Sequence, residues 1–292
     1  MAVSDNSRQT GKDIPDKILQ KVSIFPNMPQ AGFKLRALLS EKDVPADEIE
    51  KILRQDPGLA ANVLRLANSA FFGMPAKVSS LKHAVVLLGV KRFAQIAVGA
   101  CMNKTMGKAV EGYGLSPGAL WLHSIAVSTT AEALAKNRKL ADSGDFFTPA
   151  LLHDLGKLVL AEFVKAELPK FEELVAKGMP LVNAEREVLG TDHAEIGALI
   201  LSKWRFPGDL VNAVRWHHHP EDLKRSNLKP EIVYLANLLC QFDSAGNLAE
   251  KQPSVPSPKV LNRLGILSEQ YDMFAEKARG WMKKLSDTLT FD

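Results

Sequence analysis

The chain has 292 residues, 46% hydrophobic and 24% charged, a soluble globular balance with room for two modest domains or one larger lobed one. Its net charge of +4 is small and spread along the sequence, which favours an ordinary solvated surface over a DNA-binding face. The polar N-terminal residues lack the apolar run of a signal peptide, no segment nears the roughly 20 apolar residues that span a bilayer, and Cys101 and Cys240 stand far apart without CxxC spacing, so the chain is expected to be a cytoplasmic protein with buried free thiols and no membrane contact.

In chain order, residues 1–15 are expected to be a disordered tail, and 16–106 an N-terminal helical lobe. A short helix opens at Asp16 and runs to Val22. Phe25-Pro26-Asn27-Met28-Pro29 follows as an extended link, because each proline disfavours helix in the residue before it. Helices are expected at Phe33–Leu39 and at Pro45–Leu53, the latter with Ile49, Ile52 and Leu53 on one face. Asp56 is a capping carboxylate and Pro57 suits the first helical position. The helix they open places Leu59, Val63, Leu66 and Ala67 on one side and runs to about Ser69, before the break at 71–75. Ser80 caps Leu81–Leu88, Gly89 closes it, and Arg92–Met102 is the next helix. Gly107, Gly112, Gly114 and Pro117 mark a boundary. Beyond it, residues 117–245 form a helical bundle, with helices at 118–136, 147–163, 168–177, 181–189, 192–203, 207–216 and 230–242. Residues 246–292 are a C-terminal extension: a proline-rich loop at 251–258, then helices at 259–265 and 268–289. No stretch alternates as a strand would, so the fold class is all-α.

The chemistry concentrates in seven histidines. Leu151-Leu152-His153-Asp154-Leu155-Gly156-Lys157 sets an adjacent His-Asp pair in an apolar helical run, where ionisable groups are costly unless paired or bound to a metal. His123 follows Trp121 in the helix before. His193 falls in a helix's first turn, where the N-terminal dipole keeps imidazole neutral; Asp192 and Glu195 make a capping-box-like pair there. His217 and His218 end a fourth helix ahead of Pro220. Each histidine alone is more often a core or surface residue, whereas the set is equally consistent with a shared metal site. His83 reads as a surface residue, and Trp121, Trp204 and Trp216 as core packing. Arg65, Lys91 and Arg92 form either a basic patch for an anion or a solvated face, and Asn68-Ser69 with Phe71-Phe72-Gly73 either a partner surface or a helix end with core aromatics.

His123, His153-Asp154, His193 and His217-His218 resemble the ligand set of the HD superfamily of metal-dependent phosphohydrolases. The segment ahead of them is similar, more narrowly, to the HDOD family. The residues that carry this are Phe25–Pro29, Gln55-Asp56-Pro57-Gly58-Leu59, 64–73 (Leu-Arg-Leu-Ala-Asn-Ser-Ala-Phe-Phe-Gly), 78–81 and 84–89 (Ala-Val-Val-Leu-Leu-Gly). The likeness covers roughly 17–240. It implies an all-α fold and a bacterial signalling or regulatory role, which in many members goes with loss of the ligands. It implies one or two divalent ions held by His123, His153, Asp154, His193, His217 and His218, with Lys157 near a substrate phosphate. Asn237 stands where the last acidic ligand belongs, a weaker ligand without charge; Asp243 is a poor substitute, Ala119 replaces a Glu of some binuclear relatives, and His219 another Glu. The imidazole-rich set favours Fe, Mn, Zn or Ni over Mg. Two functions follow: a non-catalytic module acting through signalling proteins, or a phosphohydrolase acting on a nucleotide second messenger.

Overall fold

The computed structural model describes residues 10–38, 45–68, 78–140, 142–223, 227–241 and 256–288. The tail before Thr10, Ser69, the Phe71–Pro75 break, Asp243 and residues 251–255 of the proline-rich loop lie outside them. Among the described residues the only pairing of extended backbone is an isolated bridge, Val110 to Leu115, and everything else regular is helical. The helices are α1 (Thr10–Ile24), α2 (Gln30–Leu38), α3 (Ala46–Arg54), α4 (Pro57–Ala67), α5 (Leu81–Leu88), α6 (Val90–Met106), α7 (Ala119–Asn137), α8 (Phe147–Leu152), α9 (Lys157–Ala166), α10 (Leu168–Ala176), α11 (Leu181–Leu189), α12 (His193–Lys203), α13 (Gly208–Arg215), α14 (Leu228–Leu239), α15 (Pro258–Leu264) and α16 (Ser268–Thr288).

Local chemistry sets many of these limits. Asp56 Oδ1 accepts the Leu59 amide at 2.9 Å, Ser80 Oγ accepts the His83 amide at 3.2 Å, and Asp192 Oδ1 accepts the Glu195 amide at 2.8 Å. The capping box at Asp192 is half formed, because the Glu195 carboxylate turns to Arg215 instead of reaching back. Two expectations are corrected. Helix α1 opens at Thr10, inside the segment read as tail. The helix expected over 147–163 is two helices, α8 and α9, joined by a turn at 153–156. His153 and Gly156 keep right-handed helical torsions. The hydrogen bonds there shorten to three-residue spacing, Leu155 N to Leu152 O and Lys157 N to Asp154 O, which hydrophobic periodicity does not register.

Gly156 explains why the chain turns here. A Cβ on it would stand 2.0 Å from the His193 carbonyl oxygen and 2.7 Å from the Gly197 amide, so only glycine lets the His-Asp turn press onto the start of α12. Gly112 does the same between α6 and α7: a Cβ would meet the Ala161 carbonyl oxygen at 2.0 Å. The 107–117 segment is thus packed onto α9, with Tyr113 buried.

One hydrophobic core runs from Ile18 to Ala278. The N-terminal helices gather on α6, whose Phe93, Ile96, Val98 and Met102 are buried. α7 lies at the centre of the bundle, against α8, α14 and α16. Lys203 fastens α12 to the end of α1 by donating to the Ser23 and Phe25 carbonyls at 2.7 and 2.9 Å. The C-terminal helices join the same core through Val260, Leu264, Phe274 and Ala278. Cys101 and Cys240 are buried and unbridged, and His83 is exposed. Trp121 and Trp204 are core residues, and Trp216 is half-buried.

Candidate metal centre

Five separate segments converge on one point. His123 comes from α7, His153 and Asp154 from the α8–α9 turn, His193 from the first position of α12, His217 and His218 from just past α13, and Asn237 from α14. The rings form an unbroken chain, with centroids 5.3 Å apart for His123–His153, 4.9 Å for His153–His217, 4.1 Å for His217–His218 and 4.7 Å for His218–His193. Asp154 sits between them. Its Oδ2 is 3.4 Å from His153 Nε2 and 3.7 Å from His123 Nε2, and its Oδ1 is 3.3 Å from His193 Nε2. The ligand atoms fall into two groups, His123/His153/Asp154 and His193/His217/His218, each within 4.8 Å.

The backbone fixes how the rings face. His153 Nδ1–H donates to the Ala150 carbonyl at 2.7 Å, and His217 Nδ1–H to the Val214 carbonyl at 2.6 Å. Both rings therefore turn an Nε2 lone pair inward, an outer-shell arrangement common in metal sites. Those Nε2 atoms, with Asp154 Oδ1, are buried and have no hydrogen-bond partner, and buried polar atoms are rarely left so. The chemistry of this donor set fits a divalent ion.

Protonation follows from surroundings. Burial lowers His153 to about 4. Burial, reinforced by neighbouring imidazoles, holds His217 and His218 well below the usual value. The neutral His193 expected at a helix N-terminus is corrected: burial disfavours its charge too, yet the Glu185 carboxylate overrides it and raises this histidine to about 10. Asp154 would be raised by burial, but His153 and Lys157 hold it well below the ordinary carboxylate range. Lys157 is buried with Nζ 2.8 Å from Asp154 Oδ2, so its ammonium is spent on that carboxylate. Asn237 is buried at the site, where its Oδ1 accepts from His123 Nε2 at 3.0 Å. His219 lies next to the cluster but in neither group.

Sequence reasoning missed Glu185 and Tyr113. Glu185, fully buried, takes the His193 amide at 2.9 Å and His193 Nδ1–H at 2.7 Å on Oε2, and the Tyr113 hydroxyl at 2.6 Å on Oε1. The available signal was its place on the buried face of α11, between Leu181 and Leu189. Arg65, Lys91 and Arg92 are engaged separately, by Asn62, by Asp145 and by Glu132, and make no common patch.

The centre is sealed. His153, Asp154, His193 and His217 have no exposed surface, Asn237 has 2% and His218 8%. The His123 side chain, at 21%, is the outermost member.

A family model described as the HDOD domain matches residues 25–220, which hold every member of the cluster except Asn237. An uncharacterized protein of Treponema pallidum (strain Nichols) is 27% identical over 263 residues, covering 87% of this chain. The chain spans about half (48%) of that relative's length. Among solved structures, a Shewanella amazonensis SB2B protein provisionally named a phosphohydrolase is 28% identical, with a TM-score of 0.71 over 94% of this chain and 98% of its own. An HDOD domain protein with unknown function from Geobacter sulfurreducens is 22% identical, with a TM-score of 0.73 over 96% of this chain and 93% of its own.

Proposed function

The chain belongs to the HDOD domain family, and on that premise we propose that it is a bacterial signalling or regulatory protein that holds a divalent transition ion without hydrolysing a substrate. The observation that carries this reading is a donor set complete enough for an ion yet closed to anything larger. Nε2 of His153, His217, His193 and His218 and the Asp154 carboxylate face one another with almost no solvent contact. Five imidazoles and one carboxylate suit Fe, Mn, Zn or Ni rather than Mg. The two Asp154 oxygens face different histidine groups, which supports places for two ions.

Such an ion ties α7, the α8–α9 turn, α12 and the end of α13 together, a structural or sensory task. When bound it supplies Lewis acidity. Asn237 in place of an acid leaves more of its charge unneutralised, and the ion pair with Asp154 keeps the Lys157 ammonium beside that carboxylate. The partners in this reading are signalling proteins, with a nucleotide as candidate ligand. No helix among the described residues is long and apolar enough to cross a membrane.

The second reading, a metal-dependent phosphohydrolase of a nucleotide or cyclic dinucleotide, is favoured by the paired ligand groups. Metal analysis of protein purified without chelator, followed by a phosphodiester screen of the loaded form, separates the two. One or two ions per chain and no turnover support the first reading. Metal-dependent turnover abolished by Asp154→Ala establishes the second. A metal-free protein whose stability ignores His153→Ala and Asp154→Ala removes both.

A further inference from the structure

A cleft of about 300 Å³ lies between the N-terminal helices and the bundle, and none of its lining residues belongs to the histidine cluster. Arg36 of α2, Lys91 and Gln95 of α6, Thr148 of α8, Phe206 ahead of α13 and Lys229 of α14 bound it. The volume suits a small ligand.

Charge on its walls is unevenly cancelled. Lys91 Nζ lies 2.8 Å from Asp145, and Lys229 pairs with Asp209, both carboxylates being part of the lining. Arg36 has no carboxylate partner among the described residues. It donates to the Arg205 carbonyl, its guanidinium stands 5.7 Å from the Phe206 ring centroid, and its Nε is buried without a partner. Gln95, 3% exposed, donates Nε2–H to the Gly144 carbonyl at 2.6 Å and leaves Oε1 buried and unpaired. Native structures rarely leave such atoms unsatisfied, and here two belong to side chains of one cleft.

We propose that this cleft binds a compact organic anion. Its carboxylate or phosphate head pairs with the Arg36 fork, a geometry guanidinium favours. An N–H or O–H on the ligand satisfies Gln95 Oε1, and an apolar body lies on Phe206 and Leu210. The location has regulatory meaning: Thr148 is on the helix that ends at His153-Asp154, and Leu210 on the helix that ends before His217-His218.

Saturation-transfer NMR on the full chain as purified tests this, with phenyl phosphate and benzoate as probes and benzyl alcohol as neutral control. At least one anion is expected to bind with an affinity on the order of 1 mM, and the alcohol not to bind; which anion binds identifies the head group. Arg36→Met is expected to weaken binding at least about tenfold, the loss of one charged contact. Asp145→Asn, which removes a carboxylate from the wall, is expected to tighten it, a change that misfolding does not produce. Failure of both anions, equal binding of the alcohol, or binding that survives Arg36→Met overturns the proposal. Phenyl phosphate binding that disappears on chelation belongs to the histidine cluster and overturns it too.

Discussion

His193 is held between Glu185 on Nδ1 and His218 on Nε2, the latter at 2.8 Å. With its pKa raised to about 10, it carries a proton on both nitrogens at neutral pH when no ion is present, and one of these protons occupies the ion's place. Metal binding must expel it. Calorimetry at pH 7.5 in buffers of different protonation enthalpy is expected to show about one proton released for the ion bound at this group. Glu185→Gln removes the charge that holds the proton, so release should vanish and metal affinity fall about 10- to 100-fold. Stability of the metal-free protein depends on pH through the same groups. His193, raised above the unfolded value of about 6.5, stabilises fully below that value and loses its contribution as pH climbs towards 10. His153, lowered to about 4, works the other way: the unfolded chain takes a proton that the folded one refuses, so stability falls as pH drops from about 6.5 to 4. Urea titrations of metal-free protein should therefore give a maximum near neutrality. His153 and Asp154 are legible in the sequence because they interrupt an apolar run, and the other site histidines because they match the ligand set of the resemblance. Glu185 is buried like them, but inside Glu185-Arg186-Glu187 it reads as a solvated charge.

At the level of elements, ends marked by a side-chain cap could be read directly, as Asp56, Ser80 and Asp192 show. Asn227 is a cap of the same kind, accepting the Lys229 amide at 3.0 Å, yet α14 was expected to start at 230. The α8–α9 break was harder to see, since its torsions stay helical and its reason, the approach of α12, is nonlocal. Gly156→Ala tests that reason. The added methyl must displace the start of α12, with an expected cost of about 3 kcal/mol, at the upper end for overpacking, and a parallel loss of metal binding. Gly280→Ala is the control: nothing lies within 4 Å of its Cβ position on the exposed face of α16, and it should stabilise by about 0.5–1 kcal/mol. Denaturant midpoints of the two variants should move in opposite directions.

Over the whole molecule, helical class and helix order are written locally, whereas which helices touch is not. The C-terminal helices show the difference: their patterns are legible, but their place on α14 and α7 is a tertiary fact. Phe274, 3% exposed, is part of the common core, so Phe274→Ala should cost about 3–5 kcal/mol and lower the midpoint of one cooperative transition. Separate transitions for the N-terminal helices and the bundle would contradict a single core. The lack of solvent contact at His153, Asp154, His193 and His217 also bears on time. An ion among them leaves only when the surrounding helices open locally, so its departure is paced by the protein and not by the chelator. Stripping rates should level off as chelator concentration rises. On the proposed reading, an ion bound there would outlast swings in supply that are shorter than the time between such openings.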